Sequence, residues 1–150
     1  MSNFCQLVRK GVTMEFTLSD GNKVPSLGFG TWKMENHEAA IAVKDAIKSG
    51  YRHIDTARAY QNEEGVGKGI QDSGIKREEL FLTTKLFNGY LNREDPEMCI
   101  SESLKKLGVN YLDLLLIHWP ATANYMDEWQ DYNLKTWRVL ERYVKEGVLH

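Results

Sequence analysis

Four short runs, HIDTARAY, TTKL, IHWP and GFGTW, hold the residues of this chain best suited to chemistry. They set Asp55, Tyr60, Lys85, His118 and Trp32 at or just past the ends of segments that read as β-strands. A tyrosine, a lysine, a histidine and a carboxylate converging from separate strands make a proton-donating site. A phenol is a poor acid near neutrality, with an unperturbed pKa of roughly 10. A nearby ammonium favours the phenolate, a carboxylate can hold that ammonium in place, and an imidazole can orient whatever accepts the proton. The residue types therefore point to general-acid chemistry on an oxygen.

Each of these residues also has a plainer reading. Asp55 could cap a strand end. His53 and Asp55 share a strand face and could form a metal pair of the kind seen in barrel hydrolases. Tyr60 alone reads as a packing residue with a satisfied hydroxyl, Lys85 as a solvated strand end, and His118 as a buried, hydrogen-bonded histidine. Trp137 reads as core and Cys99 as a small buried filler. Glu63 and Glu64 suit a helix N-terminus. The catalytic reading rests on four plain explanations otherwise having to coincide in one register.

The elements that must position these groups follow from local rules. Glu15–Leu18 and Lys23–Pro25 flank Ser19-Asp20-Gly21-Asn22, a hairpin with Asp-Gly turn chemistry. Ser26–Gly30 reads as a short strand. Asn36 is placed to cap a helix with apolar residues Ala39, Ala40, Val43, Ala46 and Ile47 at helical spacing, stopped by Gly50. Tyr51–Asp55 is a strand, and Asn62 is placed to cap the next helix. Gly65, Gly67 and Gly69 weaken that helix, which implies close packing on a neighbour. Leu80–Lys85 is a strand. Asp95-Pro96 opens a helix with a buried stripe of Ile100, Leu104 and Leu107. Tyr111–His118 is a nearly continuous apolar strand, the pattern of burial on both faces. Leu134, Trp137, Leu140 and Val144 trace a last helix ending near Gly147.

A hairpin followed by four strand–helix units implies a parallel sheet with helices outside it. A doubly wound sheet usually carries a glycine-rich phosphate loop after its first strand, whereas here that strand leads into GFGTW, without the required spacing. Asp55, Lys85 and His118 fall at the C-terminal ends of successive strands, as an α/β barrel of the (β/α)₈ type requires. A complete barrel takes about 250 residues. This chain has 150 and stops at Val148-Leu149-His150, where a fifth strand would begin. It reads as the N-terminal half of a barrel at 14–150, behind an extension at 1–13, with Met14 as a second plausible start.

Composition narrows the class. A net charge of -2, without long runs of one sign, gives no reason to expect nucleic-acid or membrane partners. No apolar run approaches the roughly 20 residues that span a bilayer, and residues 1–13 lack the apolar core of a secretory signal. Cys5 and Cys99, far apart and without metal-like spacing, fit a reducing compartment. The expectation is a cytoplasmic protein with no metal.

Together, LGFGTWK, GYRHIDTARAYQNEEGVG, ELFLTTKL and LDLLLIHWP, in this order and spacing, resemble the aldo-keto reductase family from about Met14 to His150. The stretch ATANYMDEW after IHWP is similar to the bacterial branch that includes 2,5-diketo-gluconate reductases. The resemblance implies NADPH-dependent reduction of a carbonyl. Tyr60 would be the general acid, Lys85 would lower its pKa, Asp55 would pair with Lys85, and His118 would orient the substrate carbonyl. Gly30, Thr31 and Asp55 match positions near the nicotinamide ribose, and Trp32 and Trp119 match aromatic walls of the pocket. A histidine rather than a glutamate after Ile117 resembles carbonyl reductases, not steroid double-bond reductases. In this family most cofactor contacts come from the second half of the barrel, none of which lies in these 150 residues.

Three functions compete. The leading one is a reductase of small aldehydes or keto-sugars, monomeric as a full-length parent. The second is a non-catalytic half-barrel fragment, scaffold or binding subunit, prone to self-association through its open sheet edges. A metal-dependent barrel hydrolase is a distant third.

Overall fold

Two hydrogen-bonding patterns, one antiparallel and one parallel, organise the computed structural model, which describes residues 14–86, 95–120 and 129–150. Strand β1 (Glu15–Thr17) pairs antiparallel with β2 (Lys23–Pro25), matching Glu15 to Pro25. Asp20 accepts from the Asn22 amide at 2.9 Å, and Gly21 supplies the positive φ of 89° that the turn needs. Strands β3 (Phe29–Gly30), β4 (His53–Asp55), β5 (Phe81–Leu86) and β6 (Leu114–Ile117) form a parallel sheet in that order. Beyond β6, Leu149 makes a parallel bridge to Leu112, so a fifth strand starts where the sequence predicts one.

The register sorts the sheet into two faces. Gly30, Asp55 and Thr83 are matched, as are Lys85 and Leu116, and these point to one side. Phe29, Ile54, Leu82 and Thr84 with Leu115 point to the other, toward the helices. On that side Ile54, Leu82, Ile100, Leu107 and Leu112 are fully buried and fill the space between sheet and helices. The expectation that 111–118 is buried on both faces fails for β6. Leu115 is buried, but Leu116 is 40% exposed, and among the described residues the strand paired with β6 is β5. The strand is also shorter than the apolar run.

Helices α1 (Asn36–Lys48), α2 (Glu63–Ser73), α3 (Pro96–Leu107) and α4 (Trp129–Lys145) touch one another in chain order. The expected glycine contacts are present. A Cβ at Gly65 would stand 2.0 Å from the Asn36 carbonyl oxygen, and one at Gly69 would stand 2.6 Å from that of Ala40, both on α1. A Cβ at Gly67 would meet the Leu107 carbonyl of α3 at 2.6 Å. Gly69→Ala therefore sets two effects against each other: alanine gains about 1 kcal/mol of helix propensity, while overpacking costs about 1–3 kcal/mol. The expected result of thermal or denaturant unfolding is net destabilisation. A variant as stable as the parent would mean that α1 and α2 part without cost.

Four expectations are corrected. Asn36 does not cap α1. It is that helix's first residue, Glu35 takes the cap position, and the Glu35 amide donates to the Glu38 carboxylate at 2.9 Å. Asn36 instead reaches across, its Oδ1 accepting from the Gly65 amide in the first turn of α2 at 2.8 Å. Asn62 holds the cap position of α2 but makes no side-chain cap bond, because its carboxamide is engaged elsewhere. Glu63 is buried, and its carboxylate serves neighbours, accepting from the hydroxyls of Thr84 on β5 at 2.8 Å and Ser103 on α3 at 3.1 Å. Trp137 is not core: it is 56% exposed, with Leu134 and Val144 similarly open. Of the expected stripe only Leu140 is buried, and the packed face runs from it to Thr136, which lies about 100° around the helix from Trp137. Cys99 is buried as expected, and Asp95 caps α3 by accepting from the Glu97 amide at 3.1 Å. The expected extension at 1–13, with Cys5, lies outside the described residues. None of the described helices is long and apolar enough to cross a membrane.

Candidate active site

The parallel sheet delivers its charged residues to one end. Asp55 is the last residue of β4, Lys85 the penultimate residue of β5, and His118 the first residue after β6. Tyr60 ends a 3₁₀ turn, Arg58–Tyr60, that begins just after β4. The turn closes on Gln61, whose φ of 57° lies in the left-handed region, and an Arg58–Glu102 ion pair of 2.6 Å anchors it to α3. Asp55 and Lys85 reach the same face because their strands are paired in parallel and the register puts both on the inner side.

At that end the Lys85 ammonium is the common partner. Its Nζ donates to Asp55 Oδ1 at 2.5 Å and to the Thr56 carbonyl at 2.9 Å, and it lies 3.5 Å from the Tyr60 hydroxyl. Only 12% of the Lys85 side chain is exposed, so this cation acts at close range with little screening by water. The Tyr60 and His118 rings meet edge to face with centroids 5.7 Å apart, and Trp119 continues the aromatic surface at 6.0 Å from His118. Partial burial pushes the His118 pKa down from 6.5, the Lys85 charge pushes the same way, and Asp55 opposes them. The imidazole is thus neutral at pH 7, with one N–H to donate and one nitrogen to accept.

The other predicted positions border this cluster unequally. Gly30 is exposed at the end of β3, and nothing lies within 4 Å of where its Cβ would stand, so the floor beside Asp55 is open. Trp32 and Trp119 are 66% and 56% exposed, with Lys33 Nζ 4.5 Å above the Trp32 ring. Thr31 is fully buried, its hydroxyl 2.9 Å from that of Thr56. His53 and Asp55 do share a face, but each is engaged with a protein partner, His53 with Thr83 Oγ1 at 3.0 Å and Asp55 with Lys85. Burial pushes His53 down as well, ahead of the opposing pull of Asp55. Among the described residues no three histidine, cysteine, aspartate or glutamate groups gather as a metal site. From sequence, Asn62 reads only as a helix cap and Thr56 is not marked, yet both are buried at the centre of the site's support. Their only sequence signal is that they are short polar side chains flanking Tyr60.

A parallel α/β sheet whose strand ends assemble Asp55, Tyr60, Lys85 and His118 defines the class. The aldo/keto reductase family model matches residues 26–150, and the chain belongs to that family. It is 52% identical over 115 residues to methylglyoxal reductase DkgA of Salmonella typhimurium, an alignment covering 75% of this chain and 41% of that protein. Its fold matches the crystal structure of an aldo/keto reductase from Brucella melitensis with a TM-score of 0.82 and 47% identity, covering 91% of this chain and 50% of that one. It also matches the Bombyx mori aldo-keto reductase solved in complex with NADP, with a TM-score of 0.75 and 38% identity, over 91% of this chain and 48% of that one. Those barrels continue beyond the region matched here, and the chain spans about half the length of its curated relatives.

Proposed function

We propose that this chain carries the proton-donating half of an NADPH-dependent reductase of small aldehydes or keto-sugars. The observation that carries the reading is the Lys85 ammonium, placed between the Asp55 carboxylate and the Tyr60 hydroxyl. Tyr60 gives its proton to the carbonyl oxygen of the substrate. Lys85 stabilises the phenolate left behind, and Asp55 keeps the ammonium in place. Neutral His118 donates an N–H to the same carbonyl and orients it. Trp32 and Trp119 wall the pocket. NADPH, when bound, supplies the hydride to the carbonyl carbon, which with the proton from Tyr60 completes the alcohol. Open Gly30 and the Asp55 carboxylate suit the ribose next to the nicotinamide, with Thr31 bordering it through its backbone, since its hydroxyl is committed inside. The cysteine pattern supports a reducing cytoplasm.

The test is NADPH oxidation, followed by absorbance, with methylglyoxal and a keto-sugar as substrates for the reductase carrying this sequence. An enzyme that consumes neither substrate would refute the reading. The 150 residues by themselves are expected to show no turnover, because the family draws most cofactor contacts from the other half of the barrel. They are also expected to self-associate. Leu116, Leu134, Trp137 and Val144 are large apolar side chains open to water, and among the described residues the parallel sheet ends on β3 at one side and on β6, with the single Leu112–Leu149 bridge, at the other. Sedimentation of this chain as a cooperatively melting monomer, or steady NADPH turnover by it, would contradict those two expectations.

A further inference from the structure

Asn62 sits at the hub of a buried polar cluster that the proton chemistry does not use. Asn62, Thr31 and Thr56 are each 0% exposed. The Asn62 Nδ2 donates to the carbonyl oxygens of Thr31 at 2.8 Å and Met34 at 3.0 Å. Its Oδ1 accepts from the Thr56 hydroxyl at 3.2 Å, with the Thr31 hydroxyl 3.5 Å away, and Thr31 donates to Thr56 Oγ1 at 2.9 Å. One carboxamide therefore joins three segments: the loop after β3, the end of β4, and the turn that carries Tyr60 two residues upstream.

Two further observations show that this arrangement displaces ordinary local choices. An asparagine at a helix cap position ordinarily bonds the amides of its own first turn. Here that bond is absent, and Asn36 from α1 takes over the duty at Gly65. The loop that Asn62 grips also contains Lys33 with φ 64°, a left-handed conformation that costs free energy and persists only where surrounding contacts impose it. The same loop presents Trp32, and the Thr56 carbonyl at the other end of the cluster accepts from Lys85 Nζ.

We propose that Asn62 is a positioning residue that clamps the loop from Thr31 to Met34 against the Tyr60 turn, and so sets the aromatic wall at Trp32 relative to the proton donor. The proposal rests on the reductase reading for its kinetic consequence but not for its structural one. Removing the carboxamide takes the Asn62 donor from the Met34 carbonyl and leaves the buried Thr31 carbonyl with only the Met34 amide at 3.3 Å, which favours opening of the loop to water. The wall then moves while Tyr60, Lys85, Asp55 and His118 remain chemically intact.

The experiment compares Asn62→Ala with Ile70→Ala in the reductase carrying this sequence. Ile70 is a buried apolar residue on the same helix with no part in the cluster. Both variants should melt earlier than the parent. Asn62→Ala should raise KM for methylglyoxal by roughly 10- to 100-fold, with a smaller fall in kcat, since an ångström-scale misplacement costs on that order. It should also speed hydrogen exchange at the amides of Thr31 and Met34, which are bonded to the carbonyls of Asp55 and Thr31. Ile70→Ala should leave KM and those two amides unchanged. If Asn62→Ala does not fold, Thr56→Val removes the hydroxyl that donates to Asn62 Oδ1 and accepts from Thr31, keeps both Asn62 bonds to the loop carbonyls, and should shift KM and exchange in the same direction by a smaller factor. An Asn62→Ala variant indistinguishable from Ile70→Ala, or in its place a silent Thr56→Val, overturns the proposal. If the parent reduces no carbonyl, the reductase reading fails, and exchange at Thr31 and Met34 still decides whether Asn62 is a clamp.

Discussion

Tyr60→Phe in the reductase carrying this sequence is expected to lower kcat by roughly 10²- to 10⁴-fold, the usual worth of a positioned general acid. The substitution removes one oxygen and little else. The ring keeps its edge-to-face contact with His118 and stays 5.2 Å beneath Lys85 Nζ, so the turn from Arg58 to Tyr60 has no reason to unfold. What goes is the hydroxyl 3.5 Å from that ammonium. The measurement is steady-state kinetics alongside NADPH affinity, and unchanged affinity with collapsed turnover is the expected pair. Near-parental turnover would sink the assignment of Tyr60 as proton donor.

Lys85→Met is expected to be about as damaging, by a different route. The cation beside Tyr60 disappears, and the partly buried Asp55 carboxylate and the Thr56 carbonyl are left short of a donor. The rate should fall because the phenolate formed when the proton leaves loses its counter-charge. Asp55→Asn should be milder than either change, since an amide oxygen can still accept from Lys85. A Lys85→Met enzyme with an unaltered rate would reduce the lysine to a structural prop. Acidification acts on another group. Neutral His118 is pushed toward lower pKa, so below about pH 6.5 the unfolded chain takes up a proton more readily than the folded one, and stability declines as pH falls.

The strand ends were readable from sequence because they depend on period and position: Asp55, Lys85 and His118 close apolar runs, and parallel pairing carries them to one side of the sheet. The close helix packing was readable for a similar reason, since three glycines in one short helix have few other uses. Partner choice over long separations was not. The exchange of capping duty between Asn36 and Asn62 depends on residues 25 to 31 positions away. Capping rules see only the next three residues. Glu63 obeys the charge rule for a helix start, yet its carboxylate is claimed by Thr84 and by Ser103, 40 positions on. On α4, Leu134, Trp137 and Val144 satisfy helical spacing as well as the true contact face does. Periodicity gives the shape of a stripe, and only the neighbouring α3 decides which stripe is used.

The strand order β3-β4-β5-β6 places every strand beside its neighbour in the chain, and this bears on the order of events during synthesis. The Asp55–Lys85 ion pair needs only β4 and β5, and His118 joins when β6 docks on that edge. Each addition closes a modest loop instead of waiting for a distant segment, which keeps the entropic cost of every step low. On a ribosome releasing the chain from its N-terminus, Tyr60 and the residues around it can settle as soon as β6 has docked. A nascent chain at this stage would hold Asp55, Tyr60, Lys85 and His118 already together on a sheet still open at the β6 edge.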